Sequence, residues 1–213
     1  MAHRLTRPAD RGATLIELVV AMGIFSLFLA VFVAGIVSVS RASTQARVDA
    51  QTSSALGMAV QRVERSARYA EAVNQPGTTG DRAYVEWRTS AVSHPSGAAT
   101  CTQLRYNAAA GTLAMRSWAA AAAPTTGTWH VLATDLRGGA TATTPFRTVV
   151  AATGVSNYQG VTLALEAGVS DRAGSSVTTT IYAKNSSVDS PSNAVAASGQ
   201  SATPVCAGGG YRP

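Results

Sequence analysis

The longest pattern in the chain is an unbroken apolar run near its start. From residue 13 to residue 40 every position is apolar, glycine or a small hydroxyl residue, with the single exception of Glu17. At about 1.5 Å per residue, this run exceeds the roughly 20 residues that cross a bilayer core, so it predicts a membrane-spanning helix. No proline interrupts it. It is also about twice as long as the roughly 7–15 apolar residues of a cleaved secretory signal. A retained span fits better. A carboxylate near one end of such a span is expensive, and it calls for a partner or a role.

After residue 40 the pattern changes but no helix breaker appears before Pro76. Leu56, Val60, Val63, Ala67 and Ala70 recur at steps of four and three, which is one stripe of a helix. Arg62, Arg65 and Arg68 fall around the opposite side. The spacing predicts an amphipathic continuation of the first helix, ending near residues 73–74.

A turn-rich segment at 76–80 then opens a series of alternating stretches. Residues 83–89 place Tyr84, Glu86 and Arg88 on one face and Val85 and Trp87 on the other. Stretches at 102–107 and 112–118 flank a hairpin turn at 108–111. Further strands are expected at 129–136, 146–151, 161–167 and 177–184. A helix followed by meandering strands predicts an α+β fold, with the helix packed on an antiparallel β-sheet. The organisation that follows is a leader over 1–12, a transmembrane helix over 13–40 and an amphipathic half-helix over 41–75. A sheet domain over 76–185 comes next. Residues 186–213, rich in Ser, Ala, Gly and Pro, read as a flexible low-complexity tail.

Charge sets the orientation. Arg4, Arg7 and Arg11 precede the apolar run with Asp10 as the one acid among them, which holds the leader on the cytoplasmic side and sends the rest outward. The net charge of +6 suits weak contact with anionic surfaces but falls short of a nucleic-acid footprint. No aromatic residues interleave with Arg62, Arg65 and Arg68, which disfavours nucleic acid as a partner further.

Charged residues make up only 13% of the chain, a bland composition for a cytoplasmic enzyme. His3, His94 and His130 have no Cys, Asp or Glu at a coordinating spacing, so neither a metal nor a cofactor is expected. No nucleophile elbow and no phosphate-binding loop occurs. Glu86, Asp135, Glu166, Asp171 and Asp189 stand apart from one another and read as surface charge. The chain is not expected to be an enzyme. Cys101 and Cys206 are a candidate disulfide in an exported domain, the alternative being two independent thiols.

The segment Arg11-Gly12-Ala13-Thr14-Leu15-Ile16-Glu17-Leu18 resembles the prepilin leader of type IV pilins and type II secretion pseudopilins. The resemblance implies that a prepilin peptidase cuts between Gly12 and Ala13, and that Ala13 becomes the N-methylated terminus. It makes Glu17 the glutamate at the fifth mature position, where it serves assembly. The chain departs from most members in having Ala13 where Phe or Met is usual, and in lacking a kinking proline. The strands after the helix resemble those of minor pilins and pseudopilins more than those of major pilins.

The function implied is a structural subunit of a type IV pilus-like or type II secretion filament. The implied partners are other pilin or pseudopilin subunits, the prepilin peptidase, the assembly platform with its ATPase, and the membrane. The implied location is a single-pass membrane protein with its C-terminal domain outside, extracellular or periplasmic once assembled. Two rivals remain at this point. One is a signal-anchored cell-surface adhesin, in which Glu17 is dispensable. The other is a DNA-uptake component of a competence pilus, which would need the three arginines.

Overall fold

The computed structural model describes residues 14–137, 145–169, 172–208 and 210–213. Among the described residues one α-helix, α1 (Leu15–Ala67), is followed by ten strands in two antiparallel sheets and a single 3-10 turn at Pro124–Thr126: an α+β fold. The chain divides into two units, Met1–Ala46 and Arg47–Pro213.

In the first unit, the described residues form the beginning of α1, and their apolar side chains are uncovered. Leu15 is 80% exposed and Val39 70%. The segment is long and apolar enough to cross a membrane. Its Ser26 hydroxyl is satisfied within the helix, where Oγ donates to the Met22 carbonyl at 2.7 Å. In hydrocarbon such a back-bond spares a polar group from being left without a partner.

In the second unit, α1 buries Val48, Thr52, Leu56, Ala59, Val63 and Ala67. The stripe is the one expected from spacing, except that Ala59 faces the core where Val60 was expected. The helix also stops at Ala67, earlier than residues 73–74. Ala70 is buried beyond the helix end, and Ala72–Val73 pairs as a short strand, β1, with Arg88 and Trp87. The helical half therefore does not reach residue 75. The backbone bonds Glu71 N–H to Arg88 O (2.8 Å) and Asn74 N–H to Glu86 O (2.8 Å) show that sheet pairing wins over helix continuation here.

The first sheet runs in the order β1, β3 (Arg82–Thr89), β4 (Thr100–Asn107), β5 (Thr112–Ala119), β6 (His130–Ala133), with β2 (Gly77–Thr79) also on β3. The second contains β7 (Leu136–Arg137), β8 (Phe146–Val149), β9 (Gly160–Val169) and β10 (Arg172–Tyr182), with β9 central. The expected hairpin at 108–111 is present, and Gly111 supplies its left-handed position at φ 58°.

The single strand expected over 129–136 is two strands in different sheets. Asp135 takes φ 57°, a conformation in which Asp is among the better-tolerated side chains, and turns the chain from β6 to β7. Leu136 N–H then bonds Gly111 O at 2.9 Å, and Asp135 O accepts from Gly168 N–H at 2.9 Å.

Both sheets and the helix share one core, which includes Leu56, Val63, Val85, Trp87, Leu104, Phe146 and Leu163. Val63 is fully buried against it. Val63→Ala should lower the unfolding free energy by about 2 kcal/mol, through lost burial and an unfilled cavity. A urea titration of the detergent-solubilised chain, read by tryptophan fluorescence, checks this. A change within about 0.5 kcal/mol, the range of an inert surface site, would contradict the packing.

Residues 186–208 and 210–213 fall in the segment expected to be a flexible tail. They form neither helix nor extended strand, as their composition suggests, but bond to the sheet domain, with Tyr211 and Arg212 over the far side of the first sheet. Two amide side chains act in place of strand neighbours. Asn74 accepts from Val205 N–H (2.9 Å) and donates to Val205 O (2.8 Å). Asn193 does the same for Ala151 (2.7 and 2.9 Å). Serines add to this: Ser192 Oγ donates to Val73 O (2.8 Å), and Gln75 N–H donates to Ser201 Oγ (2.9 Å). The segment is held by directed hydrogen bonds rather than apolar burial, so hydrophobic content is a poor guide to its order.

Candidate functional site

Two places in the molecule combine ionisable groups with unusual surroundings. The first is the head of α1. Gly12 and Ala13, with the whole leader over 1–12, lie outside the described residues, as does Asp171. The description begins at Thr14, whose carbonyl accepts from Glu17 N–H (3.0 Å) and Leu18 N–H (3.2 Å). The Thr14 hydroxyl lies 3.4 Å from Glu17 N–H, so Thr14 caps the helix.

Glu17 therefore sits in the first turn, three residues after its cap, where free backbone N–H groups favour a negative side chain. The Thr-x-x-Glu spacing carries this capping role in the sequence, and the reading of Glu17 as an assembly residue passed over it. Capping explains why a carboxylate is tolerated at a helix start. It does not explain one at the head of a bare apolar helix, where Glu17 is the only ionisable side chain before Arg41.

The second place is the far face of the first sheet. Glu86, Gln103 and Arg116 are cross-strand neighbours on β3, β4 and β5 and form one polar row. Gln103 Nε2 donates to Glu86 Oε1 (2.9 Å), and Arg116 Nε donates to Gln103 Oε1 (2.8 Å). Over this row lies the end of the chain. Arg212 grips Glu86 with two bonds, Nε to Oε1 (3.1 Å) and Nη2 to Oε2 (2.9 Å), while the Tyr211 hydroxyl donates to Oε2 (2.7 Å).

Glu86 is 0% exposed, so its expected role as surface charge is overturned. Alternation along β3 separated the two faces correctly but could not show that a further layer covers the second. Burial, and then the Glu86 charge, push the Tyr211 hydroxyl well above the ordinary tyrosine range, so it stays a donor. Burial acts to lower the Arg212 guanidinium, but the hydrogen bonds and charge of Glu86 outweigh it and raise it. Burial lowers Arg116. Trp129 adds a stack on the same face, with Arg105 at 4.0 Å and Arg116 at 4.6 Å from its ring centre.

Cys101 and Cys206 are joined, with Cα atoms 5.6 Å apart, fixing the end segment to β4. This face is a structural lock. Arg212, Tyr211, Gln103 and Asn74 surround the Glu86 carboxylate and bury it. The signal for it was Tyr211-Arg212, the only large side chains in a run of small ones.

Among the described residues no three His, Cys, Asp or Glu side chains gather as a metal group. His94 accepts or donates at Nδ1 to Ser96 Oγ (2.7 Å) in its own loop, and His130 is exposed at the start of β6.

No curated protein and no solved structure matches the chain. A family model does match, and only at the head of α1. The chain carries at residues 7–33 the prokaryotic N-terminal methylation motif, the signature of type IV prepilin-like proteins.

Proposed function

We propose that the chain is a minor pilin or pseudopilin, a structural subunit of a type IV pilus-like or type II secretion filament. The observation that carries the reading is Glu17, alone on an uncovered apolar helix five residues after Gly12. The leader stays in the cytoplasm and the sheet domain lies outside the membrane. A prepilin peptidase cuts between Gly12 and Ala13, and Ala13 is N-methylated. The bare helix then waits in the bilayer until the assembly platform and its ATPase draw it into a filament of like subunits.

In that filament the helices exchange lipid for one another. A buried carboxylate without a partner would oppose this, whereas the charged N-terminus of a neighbouring Ala13 offsets it and sets the axial register. The methyl group leaves that amine cationic, so the pairing survives modification.

Intact-mass measurement on the purified membrane form should give a chain beginning at Ala13 and heavier by one methyl group; any other start refutes the processing. Glu17→Ala should insert normally and reduce filament incorporation by roughly a hundredfold or more, the loss expected when one partner of a desolvated charge pair is removed. Glu17→Asp should recover part of it. Wild-type incorporation by Glu17→Ala would remove the pairing from the account.

A further inference from the structure

Arg62 and Arg65 are exposed one turn apart on α1, within the second unit. Elsewhere on this unit arginines at carboxylates are paired: Arg68 with Glu64, Arg88 with Glu71 (3.0 Å) and Arg212 with Glu86. Arg62 and Arg65 pair with no carboxylate among the described residues. Arg65 donates only to the carbonyl of Gln61 on its own helix, at 3.4 Å.

Two clefts meet along this pair. One, of about 470 Å³, runs toward His94 and includes Tyr69, Pro95 and Met115 in its wall. The other, of about 420 Å³, runs toward His130 and is walled by Met58, Val131 and Leu132. Arg62 and Arg65 line both clefts, and no Asp or Glu lines either. The surface is thus a cationic ridge with a mixed trough on each side, apolar at Pro95 and Met115 in one and at Met58, Val131 and Leu132 in the other, beside Ser66, Thr89 and Ser93 in the first and Gln61 in the second. Val131 and Met58 are 60% and 63% exposed, large apolar groups with nothing over them.

We infer that this double cleft binds a short peptide segment of another protein, with carboxylates at its centre and apolar side chains on both flanks. Carboxylates meet the two guanidinium groups, which present forks suited to them. The flanking apolar side chains enter the troughs and exclude water, which strengthens the ion pairs. A nucleic-acid strand fits less well. It would bring phosphates to the ridge but would leave Met58, Val131, Leu132 and Met115 uncovered, and Tyr69 is the only Phe, Tyr or Trp that lines either cleft. The inference does not rest on filament assembly, since every residue it uses lies in the sheet-bearing unit.

The test uses the full chain in detergent and a fluorescein-labelled hexapeptide of two glutamates flanked on each side by two leucines. Fluorescence anisotropy should show saturable binding that weakens with added salt. The variant Arg62→Gln/Arg65→Gln should keep the wild-type melting temperature, since both side chains are exposed, and bind the peptide about tenfold more weakly. A peptide with glutamines in place of the glutamates should lose a similar factor. The inference is overturned if wild type and variant bind alike, if the glutamine peptide binds equally well, or if no binding occurs. Tighter binding of a twelve-nucleotide oligothymidylate than of the peptide also overturns it, and assigns the ridge to nucleic acid. Because the assay needs neither processing nor a filament, its failure is separate from failure of the proposed function.

Discussion

Arg212→Met should destabilise the sheet-bearing unit by about 3–5 kcal/mol, the usual effect of stripping one partner from a buried ion pair. For a unit of this size the melting temperature should fall by roughly 6–20 °C. The reason lies in which partner remains. Glu86 is 0% exposed and has no route to water, whereas the Arg212 side chain keeps 15% of its surface in solvent. Taking away Arg212 leaves a carboxylate facing Tyr211, Gln103 and Asn74, all neutral. Taking away the charge of Glu86 leaves a guanidinium that can still turn outward and keep its bonds to Gln200 Oε1 (2.7 Å) and Gln75 O (2.8 Å).

Glu86→Gln should therefore be the milder change, and the double variant Glu86→Gln/Arg212→Met should be more stable than Arg212→Met alone. Thermal melts of the three variants in detergent, followed by tryptophan fluorescence, decide the matter. Trp87 lies next to Glu86 on β3 and reports on this region directly. An Arg212→Met melt within about 2 °C of wild type would show that the pair contributes little, as exposed ion pairs do.

The lock was the least legible part of the molecule, and the head of α1 the most. A run of apolar residues broken by one acid is informative because each departure from it is physically expensive. Glu17 could therefore be singled out by its position, whereas Gly12 and Ala13 rested on the resemblance to the prepilin leader; residues 7–33 match the methylation motif. The strands β3, β4 and β5 were legible for a similar reason. Their alternation is strong, and Gly111 marks the turn between two of them.

Legibility failed where order comes from hydrogen bonds between distant residues. Asn74 and Val205 lie 131 positions apart, and nothing local to either announces the pairing. Glu86 was misread on the same ground. A polar face on a strand is usually a wet face, and what dries this one is a segment too poor in apolar residues to look like a core. The short strands β1 and β2 and the break at Asp135 were missed because two or three residues carry no period. Thr14 was passed over for a different reason, since its capping role coincides with the motif and was hidden by it.

Cys206→Ser should lower stability by about 2–5 kcal/mol, because the bridge closes a loop of 105 residues and so restricts the unfolded chain. Cys206 is the better site to change. Cys101 is fully buried, and as a free thiol it remains a small apolar side chain, whereas a serine there would add an unpartnered hydroxyl. The bridge and the Glu86–Arg212 pair hold the same segment, six residues apart, so their contributions should not add. With the bridge intact, residues 207–213 are tethered at one end and Arg212 returns to Glu86 from close by. With it removed, that segment can leave as a unit, and some of the stabilisation by Arg212 has already gone. Arg212→Met in the Cys206→Ser background should then be smaller than in wild type by about 1 kcal/mol. A double-mutant cycle in urea measures the difference, and strict additivity would show that the two contacts act independently. Dithiothreitol should reproduce the Cys206→Ser loss in wild type and leave Cys206→Ser itself unchanged. The domain is thus at its most stable where disulfides persist, in the oxidising space outside a cell membrane.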